Sequence, residues 1–147
     1  MSEITMVLDL RDWVPRWGEF DLRYYWDDLS FVIEVDYEVG EAHEPAKPIR
    51  TKLVRFEYPV AVVQSFWPMA RPLVLGPMPS HQDHARVFDL GSTALLADCR
   101  FNFRTEGVGE ETELTHFYVH FVDMKQQFQV VARSVEVSDG VPPGGHD

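Results

Sequence analysis

Residues 30–39, SFVIEVDYEV, alternate apolar and polar positions with a period of two. Phe31, Ile33, Val35, Tyr37 and Val39 fall on one side of an extended chain; Val32, Glu34, Asp36 and Glu38 fall on the other. A helix would bring its apolar residues back about every 3.6 positions, so this spacing predicts a strand with one face in a core. The pattern recurs along the chain. Phe20, Leu22, Tyr24 and Trp26 share a face in EFDLRYYW, with Glu19, Asp21 and Arg23 opposite. The Asp27-Asp28 pair that follows is a turn signal, so residues 19–39 read as a hairpin. Val54, Phe56 and Tyr58 alternate with Leu53, Arg55 and Glu57, and Pro59 then bends any continuation through VAVVQSF or confines it to an edge. Phe117, Val119 and Phe121 lead through a turn at Asp123–Lys125 to Phe128, Val130 and Ala132, with the return strand read as continuing to Val137.

The remaining segments punctuate these strands. ITMVLDL at 4–10 and VFDL at 87–90 are further short strands, whereas 11–18, 40–49 and the Pro-rich stretch 68–85 are connections. One helix is expected, capped by Ser92 and opening with TALLADCR; Leu95, Leu96 and Cys99 lie on its apolar face. The expected architecture is α+β: one mainly antiparallel twisted β-sheet of about six to seven strands with one short helix packed on it. Residues 1–137 form a single domain and 138–147 a flexible tail.

Charge narrows the function classes. Lys and Arg number 13 and Asp and Glu 24, a net charge of −11. Such a surface repels nucleic acid and anionic membranes and attracts basic proteins. The opening MSEITMVLDL has no basic segment ahead of a long apolar run, and no stretch reaches the ~18 apolar residues of a membrane span, so a cytoplasmic protein is expected. The lone cysteine, Cys99, makes no intramolecular disulfide and reads as core packing.

Three groups of side chains merit attention as sites. His81, Asp83 and His84 in SHQDH could offer metal ligands from a loop, although a zinc site wants a further ligand from a second element. His116 and His120 share the polar face of one strand, about 13 Å apart and too distant to chelate one ion. Glu34, Asp36 and Glu38, with Glu19 and Asp21 on the neighbouring strand, would gather into an acidic patch that Arg23 offsets only in part. No Gly-x-Ser-x-Gly elbow or phosphate loop is present, no cofactor is expected, and no catalytic residue stands out.

The segments KLVRFEYPVAVV, RVFDLGSTALL and LTHFYVHFVDMKQQFQVVA, in that order over residues 52–137, resemble small bacterial immunity-type proteins of polymorphic-toxin loci. The resemblance implies a single α+β domain that binds and blocks a toxin. The leading expectation is therefore an acidic binding protein whose partner is a basic toxin domain, contacted by Glu34, Asp36, Glu38, Glu19 and Asp21. A metal-dependent enzyme or ligand-binding domain using the 81–84 loop, and a homo-oligomeric structural subunit, are the alternatives. The stripe reading further expects that reversing Glu34 and Asp36 to Lys weakens binding and leaves the fold intact.

Overall fold

A computed structural model describes residues 4–10, 19–38, 49–66, 85–106, 114–121 and 124–141. Among the described residues nine strands and one helix follow one another: β1 (Thr5–Asp9), β2 (Glu19–Asp27), β3 (Ser30–Glu38), β4 (Ile49–Glu57), β5 (Ala61–Phe66), β6 (Arg86–Asp89), α1 (Ala94–Glu106), β7 (Thr115–Phe121), β8 (Gln126–Ala132) and β9 (Ser134–Asp139). The α+β class with antiparallel pairing is as the alternation predicts. The single sheet of six to seven strands is not: a five-stranded sheet, β1-β6-β7-β8-β5, faces a four-stranded one, β2-β3-β4-β9.

Two sheets arise because the chain changes layer three times, once between β1 and β2 and then at two short crossings. At Tyr58-Pro59-Val60 it leaves the four-stranded sheet at β4 and enters the five-stranded sheet as the edge strand β5. At Arg133 it returns, dividing the expected long strand into β8 and β9. The sequence marks the second crossing by a slip in phase. Phe128, Val130 and Ala132 face the core from even positions, whereas Val135 and Val137 pack against it from odd ones. The two crossings lie side by side: the Arg133 N–H donates to the Glu57 carbonyl and the Val60 N–H to the Val131 carbonyl. Strand β9 runs on to Asp139, and the Gly140 N–H donates to the Thr51 carbonyl, so ordered pairing extends past Val137.

The core fills the space between the sheets. Phe31, Ile33, Val35, Val54 and Phe56 from one layer meet Val87, Phe117, Val119, Phe128 and Val130 from the other. Aromatic rings bridge the layers, Phe56 to Phe117 at 5.6 Å and Phe31 to Phe128 at 6.1 Å between centroids. Each such ring contributes about 2–3 kcal/mol by leaving water. Trp26 departs from the expected pattern: it lies on the core-facing side of the edge strand β2, with its ring against Phe31, but stands 60% exposed.

The outer face of the five-stranded sheet receives α1. Leu96 and Cys99 pack with Leu114 and Val131, so Cys99 is the core residue that its spacing predicts, and burial pushes its thiol pKa up. Thr93, not Ser92, caps the helix: its hydroxyl accepts the Leu96 N–H at 3.1 Å and its carbonyl accepts the Ala97 N–H. Ser92 carries the wrong register, since the first helical residue is Ala94.

His116 and His120, expected on a polar outer face, are both fully buried. His116 Nδ1 lies 2.6 Å from the Thr93 hydroxyl and Nε2 lies 3.0 Å from Gln129 Oε1. With the Thr93 oxygen taking the Leu96 N–H, its proton goes to Nδ1, and Nε2–H donates to Gln129: a neutral imidazole. Burial holds the His116 pKa below its ordinary 6.5, the bond to Gln129 opposing in part.

Thr93→Ala removes the cap and the His116 partner together. Urea denaturation is expected to show a loss of about 1–2 kcal/mol, against a much smaller loss for Ser92→Ala. Because the unfolded chain takes up a proton that folded His116 resists, stability falls as pH drops below about 6.5. His116→Gln is expected to flatten that part of the stability–pH curve, whatever its effect on absolute stability, as read from urea midpoints across the interval.

Candidate functional site: an acidic sheet face and a groove at its end

The outer face of the four-stranded sheet collects charge from all its strands. Antiparallel register sets Arg23 opposite Glu34, Asp21 opposite Asp36, and Asp36 opposite Thr51. Arg23 sits among three carboxylates. Its Nη1 donates to Asp36 Oδ2 at 2.9 Å and to Asp21 Oδ2 at 2.8 Å, and its Nη2 donates to Glu34 Oε2 at 2.7 Å. The Thr51 hydroxyl donates to Asp36 Oδ1 at 2.6 Å, and the Tyr25 hydroxyl to Glu34 Oε1 at 2.6 Å. The bond to Asp36, then that to Glu34, raises the Arg23 pKa beyond its already high value. The bond to Glu34 pushes the Tyr25 phenol up to about 12.

This network revises the acidic stripe. Glu34, Asp36 and Glu38 do share the outer side of β3, but Asp36 is fully buried and Glu34 partly so, leaving Glu38 exposed. Asp36 is not a solvated carboxylate; it is an internal anchor with Arg23 and Thr51 as its donors. A bulge between Glu19 and Asp21 pairs Glu19 with Tyr37, off the row that continues the stripe, while Asp21 stays opposite Asp36. Reversal of Asp36 to Lys would thus bury an ammonium group against Arg23 and is expected to destabilise the fold.

The face is nevertheless strongly acidic. The outer positions of its strands carry Asp21, Asp27, Glu34, Asp36, Glu38, Glu57 and Glu136, seven carboxylates, against the two guanidinium groups of Arg23 and Arg55. Arg55 donates to Asp27, and Ser30 to Glu57. Glu38, Asp27 and Glu136 are exposed.

At the rim of the four-stranded sheet, where β2 turns into β3, lies a groove of about 310 Å³. Trp26, Leu29, Tyr58, Pro59 and Val60 give it apolar walls, and Asp28 and Arg133 are its charged members. Tyr58 takes the left-handed region at φ 50° and Asp28 does so at φ 54°. That conformation is uncommon for Asp and an outlier for a bulky aromatic. Tyr58 is held there by its N–H donating to the Leu29 carbonyl at 2.9 Å, and the Arg133 guanidinium lies 4.7 Å over its ring. The sequence reading did not single out this groove. Its signals were an apolar Leu29 placed in a turn and the Tyr58-Pro59 pair at a strand break.

Other expected sites fall elsewhere. His81, Asp83 and His84 lie outside the described residues. Among the described residues no group of three or more His, Cys, Asp or Glu is arranged to hold a metal ion, and no helix is long and apolar enough to cross a membrane. No family model matches the chain, and no curated protein or solved structure is found similar to it.

Arg23→Gln strips Asp36 of its cation and is expected to cost about 2 kcal/mol, the penalty of a broken buried pair reduced because Arg23 is itself partly solvated. Asp36→Asn, which keeps the Thr51 contact, is expected to cost about half as much. Urea denaturation of the two variants checks the order.

Proposed function

We propose that this chain is an acidic protein-binding module of the immunity or inhibitor type, which neutralises a basic partner such as a toxin domain by covering it with the outer face of the four-stranded sheet. The observation that carries this reading is the imbalance on that face, seven carboxylates against two guanidinium groups. Complementary charge of this density speeds encounter with a cationic surface and suppresses encounter with anionic ones. Within the patch the roles divide. Asp36, Glu34 and Asp21 hold Arg23, whereas Glu38, Asp27 and Glu136 are exposed to a partner. A reducing, cytoplasmic setting accords with a single buried cysteine.

The test uses the immobilised protein and its Glu38→Lys/Glu136→Lys variant as parallel columns, with lysate of the source cells and a salt gradient. The expected result is a basic protein retained by the native column and released at moderate salt. On the variant the same protein is expected to show roughly tenfold slower association by surface plasmon resonance. A native column that retains no basic protein, or a variant that binds it equally fast, overturns the reading.

A further inference from the structure

We propose that the groove between the β2–β3 turn and the β4–β5 crossing receives one large apolar side chain of the partner, aromatic or long aliphatic, flanked in the partner's sequence by Lys or Arg. The proposal rests on the reading of this chain as an acidic binding module, and it adds what charge alone lacks, a docking point.

Three apolar residues of the groove stand in solvent: Trp26 is 60% exposed, Leu29 54% and Tyr58 46%. Singly, exposed apolar side chains are ordinary; gathered around one concavity they mark a contact surface. The types are those that dominate protein interfaces, Trp and Tyr above all, with Arg133 beside them. The volume, about 310 Å³, suits one large side chain with part of its neighbouring backbone and is too small for a packed helix.

The groove is also held open in advance. Tyr58 occupies the left-handed backbone region, an outlier for a bulky aromatic that persists only where the surrounding structure holds it. Tyr58 is tied to the β2–β3 turn through the Leu29 carbonyl, and Arg133 to β4 through the Glu57 carbonyl. The guanidinium stacked on the Tyr58 ring fixes its plane. A ligand side chain entering such a site loses little to reorganisation of the protein.

Charge selects the occupant. Within the groove Arg133 balances Asp28; the excess of carboxylates lies just outside it, where Asp27, which also holds Arg55, and Glu57 continue onto the sheet face. Cations on either side of the inserted residue would meet these groups. A second copy of this chain, itself at −11, would be repelled.

The experiment titrates the isotopically labelled protein with four blocked pentapeptides: Lys-Lys-Phe-Lys-Lys, Lys-Lys-Ala-Lys-Lys, Ser-Ser-Phe-Ser-Ser and Glu-Glu-Phe-Glu-Glu. The readout is the Trp26 indole N–H resonance, assigned with Trp26→Phe. The basic Phe peptide is expected to shift it saturably, about tenfold more tightly than the basic Ala peptide and the two other Phe peptides. Leu29→Ser, a change in an exposed turn, is expected to bring the two basic peptides to equal affinity. If the basic peptides bind alike and the shifts lie on the sheet face away from Trp26, the groove assignment fails while the acidic-face reading stands. If all three Phe peptides bind alike, the requirement for flanking cations fails. If neither basic peptide binds, the acidic-face reading fails and the groove proposal with it.

Discussion

The contact of Phe31 and Phe56 with Phe128 and Phe117 is what the rest of the structure depends on. Each sheet alone has one apolar face, and neither could stay in water with it uncovered. Once the aromatic rings interlock, both inner faces are spent, and every specialised feature must sit on an outer face or at a rim. The two outer faces then diverge. That of the five-stranded sheet is covered in part by α1 and buries His116 and Gln129 as a hydrogen-bonded pair. That of the four-stranded sheet holds the carboxylates.

On that second face one guanidinium separates two demands that usually conflict. Packing acids side by side on neighbouring strands destabilises a sheet, yet a docking surface needs them there. Arg23 resolves the conflict locally by binding Asp36, Glu34 and Asp21, while charges farther out, Glu38 on β3 and Glu136 on β9, sit beyond its direct hydrogen bonds. On the proposed reading, stability and recognition fall to different members of one acidic surface.

The strands were legible wherever alternation was strict. Residues 30–38 bury Phe31, Ile33, Val35 and Tyr37 as their spacing predicts, and the same rule found β2, β4, β7 and β8. What alternation lacks is the identity of neighbours. Asp36 reads as solvated because Asp nearly always is; only the register, which brings Arg23 and Thr51 beside it, explains its burial. The histidines of β7 fail for a related reason: His116 satisfies both ring nitrogens through Thr93 and Gln129, residues distant in sequence. The second sheet was written in the chain as the slip in phase around Arg133, but a strand that bends and a strand that changes layer look alike until both layers are seen. The groove was the least visible feature, since it is assembled from a turn and two crossings that touch only in the fold.

Those crossings carry a kinetic consequence. Strand β4 cannot gain its second neighbour until Glu57 finds Ser134, and β5 cannot pair until Ala61 finds Val131. Both searches span about half of the chain, and neither has a hairpin turn to shorten it. The β2–β3 and β7–β8 hairpins close locally and are free to form early, whereas the junction that knits the layers closes late, against a large loop-entropy barrier. Until it does, β4 and β8 present bare edges in the same region of the molecule, and sister chains on the same polysome offer the nearest competing strands. The surplus of negative charge that we assign to recognition also opposes edge-to-edge pairing between copies.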